Sequence, residues 1–391
     1  MSDYASSSIA APSATRIEAI DVVRGAALLG VLTVNLITGF RVSLFTQFLP
    51  PPDVVASWDT IAERFVTIAL ESKAFALFSL LFGAGLAIQF ERLGDTGRPD
   101  YFLVRRLLAL LAFGLLHLLF IWNGDILTEY AIAGLVALPF LRLSAAHLAK
   151  AAGLFIALFV GLAIFPHPVK LPGPAELQQH AEEATRIYAN GSYAETLAFS
   201  WSELPLMLPL HLNVFARTVG LILLGACIWK SGVLLHSLPQ TRWMFALGAT
   251  ALGFLLTLLS ERILSGMIAP IILALGYGAF FYCLANTSTF ERLLRLIGAL
   301  GRMAFTNYIM QSVALTFVFF GFGLGQFGKM GVAEGLVLAF ALYAAQAALS
   351  MAWLRYFRFG PLEWLWRVLT YGRLFPNVSP TRAARSGELR S

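Results

Sequence analysis

Apolar residues fill this chain in long runs that are separated by short polar segments. A helix that crosses a bilayer needs about 20 mostly apolar residues, and ten runs are near that length. These runs are 18–40, 61–91, 101–122, 126–142, 146–165, 204–229, 243–263, 266–286, 296–324 and 331–357. The pattern predicts an all-α polytopic membrane protein with about ten transmembrane helices.

Several polar residues recur at helical spacing inside these runs. Arg24 precedes Asn35 by eleven residues, and Arg106 precedes His117 by the same interval. Eleven residues make about three helical turns, so both members of each pair lie on one face, about 16 Å apart along the axis. Because polar groups are costly in hydrocarbon, they face a bundle interior or a cavity and are candidates for a functional site.

Composition agrees with membrane insertion and excludes other classes. The 391 residues are 58% hydrophobic and only 13% charged, with a mean hydropathy of +0.74, which is too apolar for a water-soluble globule. The net charge of +6 is scattered over short loops, so we expect no nucleic-acid binding. Cys227 and Cys283 lie in apolar runs without CxxC or Cys/His spacing, so we expect neither a metal site nor a disulfide.

The positions of lysine and arginine predict the orientation. Short cytoplasmic loops retain positive charge, and most of the 28 basic residues fall on one side when the N-terminus is inside. We therefore predict an N-in, C-in topology for a single transmembrane domain, residues 16–375. Residues 1–15 lack a basic region followed by a cleavable apolar segment, so we expect a disordered tail there and a second one at 376–391.

Two segments outside the predicted spans have a helical pattern of their own. The long external loop 166–203 has a middle part that predicts an amphipathic helix bearing Glu182, Glu183 and Arg186, which would act as a lid. The segment 360–373, GPLEWLWRVLTYGR, mixes Trp and Tyr with Arg. That mixture is typical of a helix lying in the cytoplasmic membrane interface.

His117 is the basis of the main catalytic hypothesis. A carboxylate, Asp125 or Glu129, follows at the same predicted outer mouth, and a histidine paired with a carboxylate is what general-base chemistry requires. The alternative is that His117 is a packing residue. Asp125 could also cap the helix that follows it, which is compatible with a role beside His117.

Other polar residues leave two interpretations open. Asp21 and Arg24 form either a local helix pair or part of a site that includes Asn35. Arg217 lies near the middle of its predicted span and needs a carboxylate partner or an anionic ligand. Glu71, near the outer end of the second span, is the partner that we predict for it.

Polar residue types divide between the two ends of the predicted bundle. The inner mouth carries arginines, namely Arg24, Arg105, Arg106 and Arg302. The outer end gathers amide, imidazole and carboxylate groups, namely Asn35, Glu71, His117, Asp125, Glu129 and Gln311. This division would suit an anionic donor from the cytoplasm and an acceptor from outside, although positive-inside topology alone would also place arginines inside. Gln311 shares a face with Asn307, and both could equally bond neighbouring helices.

Five runs resemble the YeiB-like family, also called domain of unknown function 418. They are RIEAIDVVRGAALLGVLTVN (16–35), LFSLLFGAGLAIQFER (77–92), RRLLALLAFGLLHLLFIWNGDILTEYAIAG (105–134), GRMAFTNYIMQS (301–312) and GPLEWLWRVLTYG (360–372). The resemblance covers nearly the whole chain. It names a family without naming a reaction.

That family is similar in pattern to membrane-bound acyltransferases of the acyltransferase-3 and heparan-glucosaminide N-acetyltransferase groups. The run DVVRGAALLGVLTVN resembles the first-helix motif of the latter, and Arg106 with His117 matches an Arg-x10-His arrangement associated with acyl-donor use in the former. The resemblance implies that Arg106 helps to hold the donor and that His117 acts near the acyl group. Those enzymes place a histidine on or just after the first helix, where this chain has Asn35. Either His117 or an acidic residue is then the base, or this branch has lost acyl transfer.

The leading hypothesis is an enzyme that moves an acyl group, in the first instance acetyl, from a cytoplasmic CoA thioester to an extracytoplasmic carbohydrate or lipid-linked acceptor. The inner arginines and Arg217 would pair with the donor's phosphates, and His117 would deprotonate the acceptor. Asn35 or Gln311 would stabilise the developing oxyanion. We expect the protein in a bacterial cytoplasmic membrane among lipids, and a homodimer is compatible with the sequence.

Two other classes of function compete with acyl transfer. A transporter of an anionic or amphiphilic small molecule would use Glu71, Arg217 and Asp125 as a relay. A scaffold would use its polar groups only to bind helices together.

Overall fold

The computed structural model describes residues 14–50, 57–164, 172–233, 238–259, 263–288 and 290–378. Nearly all of these residues are helical, and among them the one isolated β-bridge joins Phe357 to Val378. The all-α prediction is confirmed. Both predicted tails fall outside the described residues, apart from the end of the first, which begins a helix, and the start of the second, which reaches the bridge.

The helices follow one another along the chain with short connections. They are α1 (Ala14–Asn35), α2 (Ser57–Phe65), α3 (Lys73–Leu93), α4 (Pro99–Phe120), α5 (Leu127–Ala137), α6 (Ala145–Ile164), α7 (Pro174–Asn190), α8 (Tyr193–Lys230), α9 (Pro239–Leu258), α10 (Ile263–Ala285), α11 (Glu291–Arg302), α12 (Ala304–Phe319), α13 (Val332–Tyr356) and α14 (Pro361–Tyr371). Single π-helical turns, Leu36–Phe40 and Val66–Leu70, extend α1 and α2.

Eight helical segments of the described chain are long and apolar enough to cross a membrane. They are Glu18–Phe40, Ser57–Thr96, Pro99–Phe120, Ala145–Ile164, Tyr193–Lys230, Pro239–Leu258, Gly266–Ala285 and Val332–Tyr356. The helix α12 is also apolar but shorter. The chain is therefore a polytopic membrane protein, while ten spans and the N-in, C-in orientation stay predictions.

Two of the ten predicted spans take a different form in the structure. The run 126–142 becomes the short helix α5 followed by a 3-10 turn, Leu138–Arg142. The run 296–324 breaks at Met303, where α11 ends and α12 begins. Hydropathy averaged over a whole run does not show such breaks, because most residues on both sides of them are apolar.

The amphipathic helix predicted inside 166–203 is present as α7. Its apolar positions, Leu177, Ala181 and Ala184, are buried, and Tyr188 is buried beside them. The next helix, α8, begins at Tyr193, so it starts well before the predicted span.

Glycines let two pairs of long helices pack backbone against backbone. A Cβ on Gly83 of α3 would lie 1.9 Å from the Ile222 carbonyl oxygen of α8, and one on Gly225 of α8 would lie 2.0 Å from the Leu80 carbonyl oxygen of α3. Both distances are far inside van der Waals contact. Small residues permit this approach in membrane helices, where packing rather than water exclusion holds helices together.

The helices α1 and α11 approach each other in the same reciprocal way. A Cβ on Gly25 would lie 2.0 Å from the Ile297 carbonyl oxygen, and one on Gly301 would lie 1.8 Å from the Asp21 carbonyl oxygen. This contact holds the end of α11 against the segment of α1 that carries Arg24, whose guanidinium lies 3.3 Å from the carbonyl oxygen of Gly301.

We predict that Gly83→Ala lowers the stability of the protein by about 1–3 kcal/mol, the usual cost of overpacking. Gly85→Ala is the matched control, because a Cβ on Gly85 meets nothing within 4 Å although it lies on the same helix. Thermal unfolding of both variants in detergent measures the difference. Equal midpoints for the two variants would contradict the close α3–α8 packing.

Candidate functional site

A cavity lies at the centre of the helix bundle. It provides about 170 Å³ for the centres of water-sized molecules and is walled by residues from α1, α3, α4, α5, α11, α12 and α14. One end is basic, with Arg24, Arg106 and Arg302 in its lining; we call this the basic end. The walls are mostly apolar, and Tyr130 and Tyr308 line the cavity away from the basic end.

The three arginines that line the basic end have different partners. Arg24 pairs with Asp21 at 2.7 Å, as the local interpretation of the sequence predicted. The guanidinium of Arg106 lies over the ring of Trp366, 3.4 Å from its centroid, which is a cation–π contact. Arg302 donates to the carbonyl oxygen of Arg358 at 3.4 Å. Arg106 is therefore positioned by an aromatic face, and the charge of Glu363, which also lines the cavity, acts on it.

Arg105 does not line the cavity but fastens the last helix, α14. Its guanidinium donates to the carbonyl oxygen of Leu369 at 2.7 Å and to the hydroxyl of Tyr101 at 3.1 Å. The indole of Trp366 donates to the carbonyl oxygen of Arg106 at 2.8 Å. The helix predicted at 360–373 therefore packs on α4 and contributes a wall of the cavity.

Glu363 of α14 was missed by the sequence analysis. Its carboxylate accepts from the backbone N–H groups of Phe305 and Thr306, at 2.8 and 3.0 Å, and from the Thr306 hydroxyl at 2.6 Å. These are the first N–H groups of α12, so Glu363 caps a helix N-terminus from another helix. Burial raises the pKa of Glu363 above its usual value, while these hydrogen bonds oppose the rise.

His117 and Asp125 lie together, as predicted. His117 Nδ1 is 2.9 Å from Asp125 Oδ1, and both side chains are fully enclosed. The contact has the distance but not the angle of a hydrogen bond, and neither ring nitrogen has a hydrogen-bond partner within the described part of the chain. Asp125 also accepts from the Thr128 N–H at 2.7 Å, so it caps α5 at the same time.

A single aromatic side chain connects this pair to the cavity. Tyr308 lines the cavity, and its ring centroid lies 5.3 Å from that of His117. Trp122, whose backbone N–H donates to the His117 carbonyl oxygen at 2.9 Å, stacks on Phe40 with centroids 4.1 Å apart and is buried. His117 does not line the cavity, and of the described residues that do, none is a predicted catalytic residue.

Glu129 forms a second cluster within the bundle. Its carboxylate lies 2.9 Å from His211 Nδ1 of α8 and accepts from the Thr218 hydroxyl. The charge of Glu129 also acts on Arg217, which lies 5.5 Å from the ring centroid of Phe159. Glu71, the predicted partner of Arg217, was the wrong carboxylate, because the first turn of α5 rather than the start of α3 faces this part of α8.

A third buried carboxylate, Glu203, joins the segment after α4 to α7 and α8. It accepts from Asn123 Nδ2 at 2.7 Å and from the Tyr188 hydroxyl, and it lies 2.8 Å from His180 Nε2. Burial and the neighbouring Glu203 charge raise the pKa of Tyr188 well above its usual value. Within the described residues no three His, Cys, Asp or Glu side chains converge as metal ligands.

The remaining predicted residues lie outside the cavity lining. Gln311 donates to Gln346 Oε1 at 2.8 Å, and Gln346 donates to the Asn307 carbonyl oxygen at 3.1 Å, so these amides bond α12 to α13. Asn35 is buried at the end of α1. Glu71 lies in the two-residue turn between the π-helical turn Val66–Leu70 and α3. The other residue of this turn, Ser72, has a φ of 61°.

The described residues thus define an α-helical membrane protein with an apolar cavity that is basic at one end. Residues 228–373 match the family model described as "Protein of unknown function (DUF418)". The chain is 33% identical to uncharacterized protein YxaH of Bacillus subtilis (strain 168), over 94% of this chain and 97% of the relative. It is 29% identical to uncharacterized protein YeiB of Escherichia coli (strain K12), over 93% and 98%. The chain therefore belongs to the YeiB-like, DUF418 family, as its motifs predicted.

A further relative, described as an uncharacterized 39.9 kDa protein in the amylase 3' region of Bacillus acidopullulyticus, is 30% identical over 92% of this chain and 95% of its own. No solved structure matches this chain.

The raised pKa of Glu363 predicts a pH dependence of stability. A carboxyl whose pKa is higher in the folded than in the unfolded state stabilises the fold below its ordinary pKa, and that contribution is lost as the pH rises through the folded value. We expect the unfolding midpoint of the wild type to fall, relative to Glu363→Gln, as the pH rises above about 4, the ordinary pKa of a glutamate. Parallel midpoints across that range, measured in detergent, would contradict the shift.

Proposed function

We propose that this protein is a membrane-embedded acyltransferase of the bacterial cytoplasmic membrane, which takes an acyl group from an acyl-CoA and passes it to an acceptor on the far side. The observation that carries the proposal is the form of the cavity. It is basic at one end, apolar along its walls, and lined by Tyr308, whose ring lies 5.3 Å from that of His117. An acyl-CoA has anionic phosphates at one end and an apolar acyl arm at the other, so its charge and polarity are complementary to the basic end and the apolar walls of the cavity.

The arginines at the basic end would bind the phosphates of the donor. Arg106 supports this role best, because its guanidinium stacks on Trp366 and within the described residues forms no ion pair. Arg24 is neutralised in part by Asp21. A phosphate that entered the basic end would be held by charge-assisted hydrogen bonds, which are about twice as strong as neutral ones.

His117 and Asp125 would provide the base for the acceptor. Asp125 lies close enough to stabilise the imidazolium that forms when His117 takes a proton, and low exposure strengthens that interaction. The acceptor oxygen or nitrogen then bonds to the acyl carbon, the C–S bond breaks, and the leaving thiolate takes the proton from the His117 imidazolium, which restores the base. Tyr308 would have to turn for the thioester to reach His117.

The transporter alternative gains less support. Its predicted relay was Glu71, Arg217 and Asp125, but Arg217 is near Glu129, Asp125 is with His117, and Glu71 lies apart from both. A relay needs its groups within proton-transfer or ligand-transfer distance of one another.

We predict that His117→Ala lowers acyl transfer from labelled acetyl-CoA by about 10²–10⁴-fold, the usual contribution of a positioned base. His180→Ala is the matched control, because His180 also pairs with a buried carboxylate, Glu203, but away from the cavity. Membranes that contain equal amounts of each protein are compared. Unchanged transfer by His117→Ala would remove His117 from the mechanism.

A second prediction tests the cavity without touching a polar group. Gly85 lines the cavity and has open space at its Cβ position, so Gly85→Leu places a side chain in the cavity without displacing backbone. Gly153→Leu is the control, since Gly153 on α6 also has open space but faces outward. We expect Gly85→Leu to raise the KM for acyl-CoA at least about tenfold, the effect of losing roughly 1.4 kcal/mol of binding. Equal KM values for the two variants would place the donor elsewhere.

A further inference from the structure

The second polar cluster, Glu129 with His211, opens to the outside of the bundle. The His211 side chain is 32% exposed, whereas that of its partner Glu129 is 11% exposed. On the same helix Leu208 and Leu212 are 57% and 54% exposed. This helix is one of the candidate membrane spans, so its exposed leucines face lipid and His211 lies among them.

A histidine and a carboxylate at a lipid-facing surface cost free energy, so such residues are usually paired or form a functional site. The pair is nevertheless well built. Nδ1 of His211 faces Glu129, and Thr218 donates to the other oxygen of that carboxylate. This arrangement fixes the ring and leaves Nε2 as the nitrogen available to a neighbour.

Two further polar atoms of α8 are buried and have no hydrogen-bond partner within the described part of the chain. They are the Oδ1 atom of Asn213 and the Nε atom of Arg217. The charge of Glu129 acts on Arg217, whereas Asn213, two residues after His211, lies on the opposite side of the helix from it. Buried polar atoms without partners mark places where a ligand or water is bound.

The cluster is electrostatically connected to the proposed reacting pair. The charge of Asp125, which lies beside His117, also acts on His211. Both Asp125 and Glu129 belong to the start of α5, one helical turn apart. A group bound at His211 would therefore be close to the end of α5 where His117 is enclosed.

The space beside Trp122 is small. Trp122 stacks on Phe40, and the cavity bordered by Trp122, Asn123 and Glu203 holds about 10 Å³, enough for one water molecule. A soluble carbohydrate does not fit that space.

We propose that Glu129, His211 and Thr218 form a lateral entrance for the acceptor, which is a membrane-dissolved amphiphile that presents a hydroxyl group from within the bilayer. The hydroxyl hydrogen-bonds to His211 Nε2, while the apolar part of the molecule lies along Leu208 and Leu212. This inference rests on the proposed acyl transfer for the acceptor's role, but the binding site itself is independent of it. His211 is a binding and positioning residue, and His117 remains the proposed base.

Photolabelling of the wild-type protein in lipid vesicles tests the site directly. The probes are a long-chain primary alcohol that carries a diazirine in its chain, and the methyl ether of the same alcohol. We expect the alcohol to label the part of α8 around Leu208 and Leu212 about fivefold more than the ether does, the preference that one hydrogen bond gives. Equal labelling by both probes would mean non-selective lipid contact and would overturn the proposal.

Two histidine variants test whether His211 causes the stronger labelling by the alcohol than by the ether. His211→Leu should label equally with both probes, whereas the control His180→Leu should keep the wild-type preference, because His180 lies outside this cluster. Both are checked for a monodisperse elution profile in detergent. If His211→Leu does not fold, the wild-type comparison of the two probes still decides the question. A hydroxyl preference that persists in a folded His211→Leu protein would also overturn the proposal.

Acyl transfer then separates this inference from the proposed function. The wild type, supplied with labelled acetyl-CoA, should acylate the long-chain alcohol in vesicles, and His211→Gln should raise the KM for the alcohol about fivefold while the KM for acetyl-CoA stays the same. Hydroxyl-selective labelling without transfer would refute the acyltransferase and leave the site. Transfer with no hydroxyl-selective labelling, or with equal use of a short water-soluble alcohol, would refute the lateral entrance and leave the acyltransferase.

Discussion

The cost of placing ionisable groups in hydrocarbon determines where this structure puts its chemistry. Each such group must be paired, capped or turned toward a cavity, because an isolated charge in the bilayer is expensive. Three histidines of this chain are held beside carboxylates for that reason, in the pairs His117–Asp125, His180–Glu203 and His211–Glu129. The segment between α4 and α5 supplies partners to two of these pairs, Asp125 to His117 and Asn123 to Glu203, and Glu129 of the third pair lies in the first turn of α5.

At the basic end of the bundle the charged groups are mostly arginines, and the cost of burying them is offset in a different way. Arginines there are satisfied by carbonyl oxygens, by a neighbouring carboxylate and by the face of Trp366. A cation over an aromatic ring keeps its hydrogen-bond donors free, which a salt bridge would not do. This difference distinguishes Arg106 from Arg105, although they are adjacent in the sequence.

Much of the fold could be predicted because hydrophobic length and period report on single helices. The class of protein, the helix within 166–203 and the helix at 360–373 all follow from local patterns. The pairing of His117 with Asp125 was also accessible, since only eight residues separate them and the turn between them is short. The break at Met303 was not predicted, because Gly301 and Arg302 before it are compatible with a continuous helix and the close packing of α11 on α1 is not visible in the sequence.

The polar contacts that were missed join residues far apart along the chain. His211 lies in the apolar run LPLMLPLHLN, and its partner Glu129 precedes it by 82 residues. Glu363 caps a helix that begins almost sixty residues earlier. Arg217 was assigned to Glu71 because depth in the bilayer was the only criterion available, and depth does not say which helices are neighbours. Such partners depend on tertiary packing, which one sequence does not show.

The contribution of α14 to the cavity wall has a consequence for biogenesis. During synthesis the eight candidate spanning segments of the described residues leave the ribosome before Glu363 and Trp366 do, so they can insert in the bilayer while the cavity still lacks one side. Completion of the cavity wall therefore waits for α14, and a premature stop just before α14 would leave the inserted helices around an open cavity.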